Sequence, residues 1–148
     1  MLILVKLKKF SVPRGDLVML FCQFVRSILE FNSNVWFSSI TEEESEDIER
    51  IQKNACKLIL GDDYLSYEQS LSILKLDTLK ERRKKLAMRF GESCLKLDDF
   101  KKHFEKSHES QYNFRRPEKY NVDFASGERF QRSTIPTLQR MMNESRNK

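Results

Sequence analysis

Three groupings in this 148-residue chain have the residue types that chemistry requires. Gly61-Asp62-Asp63 is the first, because paired aspartates after a glycine are what metal-dependent polymerases use to hold two magnesium ions. Polymerase pairs of that kind occupy the turn of a β-hairpin. Here the triplet follows a segment of helical periodicity, and its glycine falls where a left-handed helix stop belongs, so a structural role is expected. Cys94, His103 and His108 are the second grouping. A structural zinc site takes four ligands including a closely spaced cysteine pair, which the chain lacks, so no metal is expected. With no aspartate or second cysteine in reach, the same residues also make a poor nucleophile and base. No catalytic residue, cofactor or small-molecule substrate is therefore expected.

The third grouping is a run of cations, Lys80, Arg82, Arg83, Lys84 and Lys85, with Arg89 one turn on. They fall in the first half of a helix, whose end already carries positive partial charge, so the placement costs helix stability unless an anion answers it. Phosphates of RNA or DNA would do so, with an affinity that falls steeply with salt. The competing expectation is a solvated face that pairs with the acidic Glu42 to Asp47 stretch of the same chain.

Local chemistry marks the helices that must position these groups. After the Val12-Pro13-Arg14-Gly15 breaker, Asp16 is expected to cap a helix to about Phe31, with Leu17, Leu20, Phe21, Phe24, Val25, Ile28 and Leu29 forming a wide inward arc. Asn32-Ser33-Asn34 ends it, and Trp36 is expected to plug the core between the first two helices. Thr41-x-x-Glu44, Ser66-x-x-Gln69 and Thr78-x-x-Glu81 are capping boxes that open three more helices. The first buries a stripe of Ile48, Ile51, Ala55, Leu58 and Ile59, leaves Glu49, Arg50, Lys53 and Asn54 to water, and stops at Gly61. The last runs from Leu79 to about Leu97, with Leu79, Leu86, Phe90 and Leu97 on one face and Gly91 costing about 1 kcal/mol relative to alanine. From Lys101 the chain is polar, and Phe104, Tyr112, Phe114, Tyr120, Phe124 and Phe130 keep no period, which suggests a tail that folds only against something else. A short final helix near Pro136 carries Leu138, Met141 and Met142.

The expected fold is therefore all-α, a small irregular bundle of about four helices with a polar, largely irregular tail. Residues 1–15 read as a leader, 16–100 as the helical domain and 101–148 as the tail. Composition agrees: 39% hydrophobic against 33% charged residues leave part of the chain without a core, and four Gly with three Pro are too few for sandwiches or barrels. Net charge is +5, and residues 78–104 carry nine basic against four acidic side chains. Cys22, Cys56 and Cys94 are an odd set without close pairing, which fits reduced thiols and an intracellular protein. The opening apolar run is too short for a signal peptide, and Leu17 to Leu29 is too short and too interrupted for a bilayer span, so no membrane partner is expected.

Several stretches in order resemble one family. Arg26-Ser27-Ile28-Leu29-Glu30-Phe31 followed by Val35-Trp36, then Ile48-Glu49-Arg50-Ile51-Gln52-Lys53-Asn54-Ala55, Tyr67 with Leu71, Leu79 with Arg82-Arg83, and Ser133-Thr134-Ile135-Pro136 with Leu138-Gln139-Arg140-Met141-Met142-Asn143 are similar to the region after the polymerase core of LINE-type, jockey-like retrotransposon reverse transcriptases. The resemblance covers roughly Leu20 to Asn143. It implies a piece of an RNA-directed DNA polymerase without the upstream catalytic aspartates, hence no polymerase activity of its own. It also implies a thumb-like region facing nucleic acid, with the missing polymerase core as a further partner. Met1 to Arg14 do not fit the pattern, and the chain reads as a truncated copy. The alternative function, a helical protein-interaction module, would dock through the acidic Glu42 to Asp47 face or the Val35 to Phe37 patch.

Overall fold

A computed structural model describes residues 2–104, 120–122 and 126–145. The fold is all-α. In chain order the helices are α1 (Leu2–Lys9), α2 (Arg14–Leu20), α3 (Ser27–Leu29), α4 (Ser33–Trp36), α5 (Glu42–Leu60), α6 (Tyr67–Leu74), α7 (Leu79–Cys94), α8 (Asp98–Lys101), α9 (Glu128–Gln131) and α10 (Thr134–Glu144). A π-helical segment, Phe21–Arg26, joins α2 to α3, and a 3-10 turn, Gly61–Asp63, follows α5. The helices are more numerous and shorter than the four expected, because the connectors carry single helical turns of their own.

The capping chemistry sets where the main helices start. Thr41 Oγ1 accepts from the Glu44 amide at 3.2 Å while Glu44 Oε2 accepts from the Thr41 amide at 2.8 Å, a complete reciprocal box ahead of α5. Ser66 Oγ accepts from the Gln69 amide at 3.2 Å before α6, and Thr78 Oγ1 from the Glu81 amide at 3.1 Å before α7. Gly61 has φ +60 and its amide bonds back to the Lys57 carbonyl, so it closes α5 in a conformation that glycine adopts without strain. Asp16 does not cap α2. Pro13 holds that position and Asp16 lies within the first turn, where it faces the positive end of the helix.

The chain divides into two compact units. The first comprises Met1–Ser33 with Ile40–Arg83, the second Asn34–Ser39 with Lys84–Lys148. The division therefore falls inside α7 rather than at residue 100.

The core of the first unit is Leu4, Leu17, Phe21, Ala55, Cys56, Ile59, Leu60 and Leu74. Within the segment read as a leader, Leu4 is buried in this core, with Leu7 and Val12 packed against it. Lys8 Nζ donates to the Leu58 and Ile59 carbonyls at the end of α5, where a cation meets the negative pole of the helix. Along α5 the expected stripe is incomplete. Ser45 and Gln52 are buried, and Ile48 and Ile51 are only half-buried. In the helix after the breaker, Phe24 and Ile28 are exposed although both belong to the expected inward arc.

The core of the second unit is Ala87, Cys94, Phe104, Tyr120, Leu138 and Met142. Phe104, Tyr120, Leu138 and Met142 of this core come from the polar segment after Lys101, the last two from the expected final helix. Phe104 and Tyr120 meet edge to face with ring centroids 5.8 Å apart, and Asn143 brackets Tyr120 by accepting from its amide and donating to its carbonyl. The final helix is present as α10, with Leu138 and Met142 buried and Gln139 Nε2 donating to the His103 carbonyl at 2.6 Å. Gly91 is buried against it: a Cβ there would lie 3.1 Å from Met142 Sδ and 3.6 Å from Leu138 Cδ2. Close approach of α10 is thus the reason for a glycine inside α7. That helix ends at Cys94, and Leu97, expected on its apolar face, is exposed. Trp36 is half-buried, and its neighbour Phe37 is the residue that packs on this core. Tyr112, Phe114 and Phe124 lie outside the described residues.

Candidate nucleic-acid interface

The cations of α7 divide sharply in what they touch. Lys80 pairs with Glu42, as the acidic-stretch expectation has it. Arg82 grips Glu30 with two nitrogens, Nε on one carboxylate oxygen and Nη2 on the other at 2.9 Å. The fork geometry makes this the strongest kind of ion pair, and the Glu30 carboxylate pushes the Arg82 guanidinium up from its ordinary value. Arg83 is buried, with Nη2 donating to Ser45 Oγ at 2.6 Å, and burial pulls its guanidinium down.

The positive end of α7 also has its anion. Glu49 Oε1 accepts from the Leu79 amide at 3.1 Å and Oε2 from the Lys80 amide at 3.2 Å, while the Tyr67 hydroxyl donates to the same carboxylate. Gln52 completes the node by donating to the Tyr67 oxygen and to the Asp77 carbonyl, each at 2.9 Å. Burial and the neighbouring Glu49 carboxylate push the Tyr67 hydroxyl far above its usual range, so it stays a proton donor. An acidic residue assigned to water by helical spacing thus caps the helix on which the cations sit. No periodicity could reveal it, because Glu49 and Leu79 are thirty residues apart and meet only through folding.

Lys84, Lys85 and Arg89 are exposed, and among the described residues neither Lys84 nor Arg89 forms an ion pair. All three lie in the second unit. The first unit holds twelve basic and thirteen acidic side chains, a net charge of −1, and the second fifteen and nine, a net charge of +6. The excess positive charge of the chain therefore belongs entirely to one unit. Lys96, Lys101, Lys102, Arg129, Arg132 and Arg140 add exposed cations there, of which Arg132 pairs with Glu128.

The other sequence candidates are not assembled into sites. Asp62 and Asp63 are exposed in the 3-10 turn, and Arg14 binds Asp63. Cys94 is buried while His103 is exposed, and His108 lies outside the described residues. Among the described residues no three histidine, cysteine or acidic side chains are grouped to hold a metal ion, and no helix is long and apolar enough to cross a membrane. Burial raises the thiols of Cys22, Cys56 and Cys94 above their ordinary value, which keeps them protonated. No family model matches this chain, and no curated protein or solved structure does either.

Proposed function

We propose that the chain is the helical region that follows the palm in a LINE-type reverse transcriptase, acting as a nucleic-acid-facing module without polymerase chemistry of its own. The observation that carries the nucleic-acid reading is the division of charge, −1 in the first unit and +6 in the second. Counterion release rewards cations that are exposed and not already neutralised, so these are the ones a phosphate backbone meets. Lys84 and Arg89 satisfy that condition, with Lys85 exposed beside them. Lys80 and Arg82 do not, since Glu42 and Glu30 pair with them, and Arg83 does not because it is buried against Ser45. The family assignment rests on the ordered sequence resemblance.

A fluorescence-anisotropy titration of labelled nucleic acid at several salt concentrations tests this. Replacing Lys84 and Arg89 by alanine should flatten the plot of log affinity against log salt by roughly two units on a duplex, one for each cation removed. Replacing Lys80 and Arg82 should leave the slope in place while lowering stability. Equal slopes for the wild type and the Lys84→Ala/Arg89→Ala variant would overturn the reading. Primer extension with deoxynucleotides and magnesium should yield no product, since the paired carboxylates of a two-metal site belong to the upstream region. Incorporation that is lost on substituting Asp62 or Asp63 would overturn that part.

A further inference from the structure

Among the described residues of the second unit, the exposed large apolar side chains are Val35, Leu97, Phe100 and Phe130. Two of them are aromatic rings with cations as chain neighbours. Phe100, 44% exposed, is followed by the exposed Lys101 and Lys102 and preceded by Lys96, while Phe130, 48% exposed, lies between the exposed Arg129 and Arg132. Carboxylates are present as well. Asp98 and Asp99 are exposed before Phe100, and Glu128 before Phe130, but Glu128 is held by Arg132. Lys96, Lys101, Lys102 and Arg129 form no ion pair among the described residues. The exposed rings of the first unit, Phe10, Phe24 and Phe31, belong to a body of net charge −1, although Phe10 has Lys9 beside it and Phe24 has Arg26 two residues on.

Both rings of the second unit project from backbone that is tied down. Phe104, four residues after Phe100, is buried in the core, and between them the His103 carbonyl accepts from Gln139 Nε2 of α10 at 2.6 Å. The Phe130 carbonyl accepts from the Ser133 amide at 2.9 Å and the Ser133 hydroxyl at 2.7 Å, and Arg140 of α10 donates to the Gln131 carbonyl. A ring held in place beforehand loses little entropy when a partner meets it. An anchored ring beside exposed cations suits a ligand that offers flat π faces and an anionic backbone together. The bases of a duplex are stacked on one another, whereas those of a single strand can present their faces.

We infer that Phe100 and Phe130 are stacking platforms for the bases of single-stranded nucleic acid, with Lys101, Lys102 and Arg129 meeting the adjacent phosphates. This rests on the nucleic-acid reading of the second unit and adds the form of its ligand. Charge alone points the other way, since a duplex carries the denser phosphate charge and releases more counterions for each contact. A preference for the single strand is therefore the signature of the rings.

Fluorescence anisotropy of the full chain tests this with labelled oligo(dT) and oligo(U) of about 20 nucleotides, and with the oligo(dA)·oligo(dT) duplex of equal length, at the same salt concentration. Both single strands should bind more tightly than the duplex. Phe100→Ala and Phe130→Ala should each weaken single-strand binding roughly five- to 150-fold, the usual loss for one base stack, and leave duplex binding unchanged. Phe100→Tyr/Phe130→Tyr should keep the wild-type affinity, and Phe100→Leu/Phe130→Leu, which keeps the apolar bulk without the rings, should lose it. These side chains are exposed, so the circular-dichroism melts should match the wild type. A duplex that binds as tightly as the single strands overturns the inference. So does a leucine variant that melts like the wild type and keeps its single-strand affinity, or a loss that is equal on both forms. Displacement of the strand by polyglutamate at equal charge overturns it too, because charge alone would then hold the ligand. Each of these results leaves the contribution of Lys84 and Arg89 to salt dependence intact, whereas binding of neither form at low salt overturns the nucleic-acid reading itself.

Discussion

The two units use the same residue types to opposite ends, and α7 makes the contrast within one helix. In its first turns Lys80, Arg82 and Arg83 are bound by Glu42, Glu30 and Ser45, and the helix end is capped by Glu49. Further along, Lys84, Lys85 and Arg89 stand in solvent. The first unit contains thirteen carboxylates to twelve cations and can neutralise its basic side chains internally; the second has fifteen cations to nine carboxylates and cannot. A run of cations in a sequence therefore has no single meaning. Its role depends on which carboxylates the fold brings to each member, and a surplus left exposed is what a polyanion can use.

The comparison can be broken most forcefully through the cores. Phe21→Ala in the first unit should cost about 3–5 kcal/mol, the usual penalty for emptying a buried aromatic site. Hydrogen exchange should then accelerate in Leu2–Lys9 and Glu42–Leu60, which share its core, and much less in Thr134–Glu144. Equal acceleration in all three would show that the two cores do not respond separately.

Glu49→Ala sharpens the electrostatic side. It strips the acceptor from two backbone amides and from the Tyr67 hydroxyl, a loss of about 1–3 kcal/mol in which the part-buried bonds from Tyr67 and Leu79 weigh more than the exposed one from Lys80. A denaturant melt measures it, and an unchanged midpoint would mean that the amino terminus of α7 is held by something else. In the second unit Gly91→Ala should bring less than the ~1 kcal/mol that alanine offers a free helix, because the new methyl crowds Met142 Sδ at 3.1 Å. A full gain would show that α10 gives way without cost.

The smallest effect concerns pH. The folded-state thiol of Cys56 lies above the ordinary 9.0 because of burial, so the folded chain holds that proton more tightly than the unfolded one. The associated stability is complete below pH 9 and is lost as pH rises through the raised value. Tyr67 behaves in the same direction at still higher pH. Cys56→Ala should make the alkaline fall of the melting temperature shallower, and an identical pH profile would assign the loss to other groups.

Local contacts were legible in the sequence. Thr41, Ser66 and Thr78 each act within four residues, so their helix starts follow from chain chemistry alone, as does the stop at Gly61. The helical class follows from the same signals together with the scarcity of Gly and Pro. The buried face of α7 was not legible. It runs through Leu79, Arg83, Ala87, Gly91 and Cys94, a column with a charge and a glycine in it, which no hydrophobic period detects.

For the candidate site, the sequence determined where the cations are and that they exceed the acids. Only tertiary structure decided which of them remain available. Glu30 reaches Arg82 across fifty-two positions of the chain, and Ser45 reaches Arg83 across thirty-eight. The π turn at Phe21–Arg26 likewise accompanies the exposure of Phe24 and Ile28, which helical spacing places on the same face as buried Leu17 and Phe21. Charge and capping propensity are properties of residues and their near neighbours, whereas neutralisation and burial are properties of pairs that exist only once the chain has folded.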